Sequence, residues 1–327
     1  MDFGAIFGNT AAYLFSPVTI AYALAATGLA VHFGYAGLLN FGMAGFMAIG
    51  GYGYAISVIS FGAPWWLGML IGLAGGAVFG LLLGVPTLRL RADYLAIATI
   101  AAAEIVRLLF LTQVLDKWTN SAEGLRGYSE KGGFWATNPF PPGTYGFGPW
   151  RYSEVDLWNR VFGLIMLALA ILLVWALMRS PWGRVLKGIR EDEDAVRSLG
   201  KNVFAYKMQA LVVGGVIGAM GGIVFVLPSA VVPGSYSTSL TFFLWTVLLL
   251  GGAATVFGPT LGAVLFWMLF AFLGNLLPQM ATHGFLPISG PQAETVRWIL
   301  AGVALMLIVI FRPQGILGDK REMTFVK

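Results

Sequence analysis

The chain has 327 residues, of which 58% are hydrophobic and 11% charged, with a formal net charge of +5. A soluble domain averages about 45–50% apolar and about 25% charged residues, so one water-soluble core cannot hide this much apolar surface. Lipid admits only helices and closed barrels, and the apolar runs here approach 20 residues where barrel strands would have about 9–11, so an all-α, polytopic membrane protein is expected.

Many of the 44 glycines lie inside apolar runs, where small residues let helix backbones approach closely. Cysteine is absent, which removes disulfides, a thiol nucleophile and cysteine metal sites. No compact basic stripe stands apart from the membrane-flanking loops, so the charge does not point to nucleic acid.

The N-terminus, Met1-Asp2-Phe3-Gly4, lacks the basic region of a cleavable signal peptide, so the first apolar segment is expected to be a retained helix. Nine apolar segments are read, at about 12–33, 36–60, 65–86, 94–115, 158–179, 208–228, 240–257, 259–278 and 295–312. The second is Gly-rich and reads as broken or re-entrant. The seventh and eighth meet at Gly251-Gly-Ala-Ala-Thr-Val-Phe-Gly-Pro259, where Gly and Pro end helices. A half-helix hairpin there leaves the membrane-helix count at about nine, between eight and ten.

Basic residues set the orientation. Arg89 and Arg91 flank one segment end, residues 179–207 carry seven Lys or Arg, and the tail from Arg312 carries four, so thirteen fall on the side assigned to the cytoplasm. The 116–157 loop has four Lys or Arg against five acidic residues and is placed outside. Nine crossings then put the N-terminus outside and the C-terminus in the cytoplasm. The expectation is a single transmembrane domain over 1–327, with an extracytoplasmic loop at 116–157, a cytoplasmic coupling loop at 180–207 and a cytoplasmic tail at 313–327. The outer loop holds Pro139, Pro141, Pro142 and the aromatics Trp118, Phe134, Trp135, Tyr145, Phe147 and Trp150. Such a loop is either functional or poorly ordered, and its aromatics suit a membrane–water belt or a docking surface.

One charged island stands in this oily sequence. Arg179 to Lys207 holds seven basic and four acidic side chains, and water-loving sequence between two apolar segments points to a soluble partner. The island reads as one short amphipathic helix, with Arg184, Lys187 and Arg190 on one face and Ala195, Val196 and Leu199 as an apolar patch. Pro181 suits its start and Gly200 its C-terminal cap. A solvated loop obeying the positive-inside rule is the plainer reading.

Polar groups inside the apolar segments are few. Glu104 and Arg107 lie three apart on one helix face, as a lock between helices or as part of a pathway lining. Asn40, Thr99 and Gln209 are of the kind that more often bonds a neighbouring helix than a substrate. His32 lies alone at a membrane boundary, and His283 in an outer loop has no companion ligands. No loop of the form GxxxxGK[ST] and no catalytic constellation is present, so neither an enzyme nor a bound cofactor is expected.

The residues from Gly183 to Lys207 resemble the coupling segment of bacterial ABC importer permeases, and within these the branched-chain amino acid permease family, of the M subunit type. Five further blocks agree. Gly34-Tyr-Ala-Gly-Leu-Leu-Asn-Phe-Gly-Met-Ala-Gly-Phe46 is similar to the family's N-terminal signature, which more often has Ser for Asn40 and His for Met43. Leu88-Arg-Leu-Arg-Ala-Asp-Tyr-Leu-Ala-Ile-Ala-Thr99 with Glu104-Ile-Val-Arg107 resembles a second block, and Thr119-Asn-Ser-Ala-Glu-Gly-Leu125 an outer Gly-rich motif with variation. Gly251 to Gly262 and Phe311-Arg-Pro-Gln-Gly-Ile-Leu-Gly318 complete the set.

The resemblance implies one transmembrane half of an ATP-driven importer in the bacterial plasma membrane. A second, homologous permease, two cytoplasmic ATPase subunits and an extracytoplasmic binding protein are its implied partners. It assigns ATPase coupling to Arg190, Glu191, Asp192, Glu193, Ala195, Ser198, Leu199 and Gly200. The pathway candidates are Asn40, Phe41, Met43, Tyr94, Thr99 and Glu104. Branched-chain amino acids are the default substrate and urea or a short amide the alternative. An ion-coupled secondary transporter or a channel is the rival class, and would be expected to show carboxylates near the middle of the membrane. Glu104 is the one acidic residue well inside an apolar segment, and Arg107 stands beside it.

Overall fold

In the computed structural model, which describes residues 2–283, 289–312 and 314–318, the chain is a bundle of apolar helices. Its helices are α1 (Phe3–Ala12), α2 (Pro17–Leu29), α3 (Met43–Phe61), α4 (Trp65–Thr87), α5 (Ala92–Leu111), α6 (Asp116–Thr119), α7 (Tyr128–Lys131), α8 (Glu154–Arg179), α9 (Pro181–Glu191), α10 (Glu193–Ser198), α11 (Val203–Val226), α12 (Thr238–Gly251), α13 (Gly258–Thr282) and α14 (Gly290–Phe311). Seven of the long helices are apolar enough to cross a membrane, α2 counting with the π-helical turn Ala30–Tyr35 that extends it. With α12 and α14, nine helices among the described residues follow the nine apolar segments of the sequence.

Local chemistry sets the helix ends. Ser16 accepts a hydrogen bond from the Thr19 amide and Pro17 opens α2, as an N-cap and a first-turn proline should. Ser153 and Asn202 cap α8 and α11 in the same way. One feature went unforeseen. A separate helix, α1, precedes α2 and lies along α13, with Asn9 bonded to Asn275 at 3.1 Å. At the junction where a half-helix hairpin was expected, α12 has only 14 residues, short of the roughly 20 a full span needs, because Gly252 stops it at φ 115°. The interruption expected in the second apolar segment falls at residues 36–42, which are not helical, between the π-helical turn and α3.

Helices α2, α3 and α11 form the centre. Their glycines permit contacts that a side chain would forbid: a Cβ on Gly28 would overlap the Gly214 carbonyl, one on Gly50 the backbone of Ala219, and one on Gly222 the carbonyl of Met47. Helix α5 sits at the edge, with only 17% of its spanning window buried.

The two ends of the bundle differ. One carries α9, α10 and most of the charge. At the other, residues 112–153 pack onto the helix ends as a cap. Leu125 pairs with Val231, the Tyr128 hydroxyl donates to Val226 O at 2.7 Å, and Ser129 donates to Leu227 O at 2.8 Å. Phe134 is fully buried against Trp65, Trp158 and Phe162. A two-stranded hairpin, β1 (Thr144–Tyr145) with β2 (Tyr152–Ser153), completes the cap. Part of its aromatic set is therefore cap core, while Trp118 and Phe147 remain exposed.

Candidate coupling and translocation site

The charged island is two helices, where one was expected. Asp192 has an extended backbone (φ −153°, ψ 102°), and its carboxylate accepts from the Ala195 amide at 2.9 Å. An Asp is worth more as the N-cap of a new helix than inside an old one. Glu193 and Asp194 then fall in the first turn of α10 and Arg190 in the last turn of α9, each where the helix dipole favours its charge.

The two faces of this element do different things. Leu186, Ile189 and Val196 are buried against the bundle, and the Arg190 side chain is only 4% exposed. Trp182 of α9 donates to Gln209 of α11 at 2.8 Å, and Lys207 of α11 pairs with Glu193. Glu193 and Asp194 both hold Arg197, at 2.8 and 2.7 Å. Glu191, Asp192, Asp194, Ala195, Ser198, Leu199 and Gly200 lie on the exposed side, with Leu199 exposed to 78%. Gly200 ends the segment at φ 74°. The expected basic face is thus divided: Arg184 points out, Lys187 is half-buried and Arg190 points in.

Arg190 reaches into the interrupted second segment. Its guanidinium donates to the Gly34 carbonyl, at the end of the π-helical turn, and to Glu191 at 3.1 Å. Gly37, at φ 68°, leaves room for the arginine stem: a Cβ there would stand 3.2 Å from Arg190 Cγ. On its other side Gly34 presses on the Ala253 carbonyl, in the turn between α12 and α13. Residues 316 and 317 donate their amides to Leu250 O and Gly251 O at 3.0 Å. Sequence blocks spread over the whole chain therefore meet at the charged end.

Polar side chains hold residues 36–42 in place. His32, fully buried, bonds Leu211 O at 3.0 Å through Nε2 and Asn40 Nδ2 at 2.9 Å through Nδ1. Asn40 Oδ1 accepts from the Gly42 amide at 2.7 Å, and Asn40 O accepts from Trp245 Nε1 at 3.1 Å. The Phe41 amide donates to Thr99 Oγ1 at 2.9 Å, and the Ala44 amide to Thr241 Oγ1 at 3.1 Å. Short of a helical ladder, the backbone here must find such partners or pay the cost of burial unpaired. Asn40, Met43 and Thr99 are consequently buried within the chain. His32, which the sequence left as a lone histidine, belongs to the same brace, as do Trp245 and Thr241, which nothing in their local sequence marks because their partners lie far along the chain.

The remaining pathway candidates are at the surface. Phe41 is half-buried, stacked on Trp245 at 4.5 Å and tilted on Phe242 at 5.8 Å. Tyr94 is 61% exposed. Arg107 donates to both carboxylate oxygens of Glu104, at 2.9 and 2.5 Å, and the pair lies half-buried on the poorly covered helix α5. At the charged end a cleft of about 950 Å³ lies between residues 88–91, α10 and the start of α11, lined by Arg89, Arg91, Lys201 and Lys207 among others. No three His, Asp or Glu side chains gather as a metal would need among the described residues.

Residues 13–310 match the family described as branched-chain amino acid transport system / permease component, and the chain belongs to it. It is 29% identical to the high-affinity branched-chain amino acid transport system permease protein LivM of Escherichia coli (strain K12), and 30% identical to its namesake in Salmonella typhimurium. Each match covers 95% of this chain and 71% of the relative. It is also 28% identical to the nucleoside ABC transporter permease protein NupC of Lactococcus lactis, over 73% of each chain. The chain is a multi-pass membrane permease of the ABC transporter family.

Proposed function

We propose that this chain is one translocating subunit of an ATP-driven importer of branched-chain amino acids in a bacterial plasma membrane. The observation that carries the reading is the two-faced element α9–α10, locked to the bundle on one side and presenting Glu191, Asp194, Ala195, Ser198, Leu199 and Gly200 on the other. A soluble ATPase with an apolar cleft and basic rim fits that outer face. The charged end is cytoplasmic, by its Lys and Arg content, which puts residues 116–157 and the N-terminus outside and makes 1–327 one transmembrane domain.

Helix α5 faces the translocation pathway and a second, homologous permease. An ion pair such as Glu104–Arg107, left partly exposed on an apolar helix, is costly against lipid, whereas water or a polar partner tolerates it. Tyr94, Phe41 and Glu104 then line the pathway, while Asn40, Met43 and Thr99 shape it from behind. An extracytoplasmic binding protein delivers substrate onto the 112–153 cap.

The test is ATP-dependent uptake by liposomes holding this chain with its partner permease, two ATPase subunits and loaded binding protein. Accumulation of labelled leucine, isoleucine or valine supports the assignment. Accumulation of a labelled nucleoside alone moves the substrate to the class named for the Lactococcus lactis relative, and accumulation of urea alone to a short amide.

A further inference from the structure

We infer that Arg190 is a relay: it transmits movement of the α9–α10 element directly to residues 34–42, and so to the Phe41 side chain. The inference rests on the importer reading above. The flanking helices α8 and α11 are the obvious mechanical route from the charged element into the membrane, and the structure shows a second. The Arg190 side chain leaves α9 on the inner side, runs past Gly37 and donates to the Gly34 carbonyl. A side chain only 4% exposed is ill placed to meet an ATPase.

The segment it grips is fitted to move as a unit. The π-helical turn Ala30–Tyr35 ends at this point, and residues 36–42 have no helical ladder of their own. Arg190 holds the near end of the segment. Asn40 and Phe41, at its far end, are held by His32, Trp245 and Thr99. Phe41 lies between Trp245 and the half-exposed Phe242, on the face shared with α5. A shift of α9 that keeps the Arg190–Gly34 bond must therefore displace the 34–42 segment and change how Phe41 sits on these rings. π-Helical turns recur at functional sites, and here the Gly34 carbonyl near the end of one is taken by the coupling element.

Arginine suits the task. Its planar fork and fixed charge make charge-assisted bonds to carbonyls that a flexible ammonium reproduces less well. Gly37 and Gly34 supply the clearances, the first for the arginine stem and the second for the turn at Ala253. Coupling between distant sites needs a physical element that both sites bias, and the relay assigns that role to the 34–42 segment.

The chain has no cysteine, so Phe41→Cys and, separately, Phe242→Cys give unique maleimide reporters on it. Each is placed in the assembled transporter in liposomes, with Arg190 intact, Arg190→Ala or Arg190→Lys. Labelling rate is compared with and without ATP and vanadate, beside ATPase co-purification and uptake. In the parent the rates differ between nucleotide states. In Arg190→Ala the ATPase subunits still co-purify, but the nucleotide-dependent difference disappears and uptake falls by about tenfold or more, the scale of one lost coupling contact. Arg190→Lys, which keeps the charge and stem, retains part of the difference. A full nucleotide-dependent change in Arg190→Ala, or loss of the ATPase from both Arg190 variants, overturns the relay while leaving the importer reading in place. Absence of any ATPase from the parent complex overturns the importer reading and the relay with it.

Discussion

Replacing Asn40 with alanine tests whether this residue braces the interrupted segment or touches substrate. The Asn40 side chain joins His32 Nδ1 at 2.9 Å and accepts from the Gly42 amide at 2.7 Å, with His32 and Asn40 fully buried. Asn40→Ala leaves both partners buried without this bond, at about 1–3 kcal/mol each, so the expected loss is about 2–6 kcal/mol. At roughly 2 °C per kcal/mol for a chain of this size, the unfolding midpoint in mild detergent should fall by about 4–12 °C. Ser198→Ala, which removes an exposed hydroxyl bonded to Asp194 O, is the control and should move it little. His32→Ala and the double variant close a cycle. The double should cost clearly less than the sum of the singles, because both remove the same bond. If Asn40→Ala melts within about 1 °C of the control and yet loses uptake, the residue acts on substrate and the brace argument is wrong.

Two further outcomes follow from packing and charge. Gly222→Val drives a side chain into the Met47 backbone and should abolish monodisperse protein in size-exclusion chromatography. Gly234→Ala, with open space around it, should not. Arg107→Met strands the Glu104 carboxylate on an apolar helix face and should lower membrane yield severalfold. Adding Glu104→Gln should restore yield on immunoblots without restoring uptake; recovery of both would make the pair a structural lock alone.

Much of the fold was legible because lipid imposes its own grammar. Runs of apolar residues near the spanning length marked nine helices, glycine content marked the second segment as broken without placing the break, and Gly with Pro marked the break at 251–259. Helix α1 was missed because Phe3–Ala12 is too short to register as a span and is secured through contacts with α13 that no local pattern reports. The split at Asp192 was written in the sequence, as an Asp three residues before Ala195 with two acids following. The helical spacing of Arg184, Lys187 and Arg190 nevertheless suggested one amphipathic helix.

The site was legible by type and less so by direction. Polar residues in apolar segments stand out in the sequence, but periodicity does not say which way they point in a tightly packed bundle. Asn40 and Thr99 turn inward because residues 36–42 need hydrogen-bond partners, a need that appears only once that stretch is seen to be non-helical. Arg190 looks from the sequence like one more cation on a solvated face. Its burial follows from Gly34 and Gly37, about 150 residues earlier in the chain, which only the folded structure brings alongside.

Everything proposed for this chain requires that the outer face of α9–α10 receive an ATPase. The direct measurement is co-purification of the tagged chain from bacterial membranes holding all native partners, beside an Ala195→Lys/Leu199→Asp variant altered only at exposed positions. ATPase subunits should come down with the parent and be lost from a variant that keeps the parent's melting temperature. ATPase retained by that variant, or absent from the parent, would contradict the proposal.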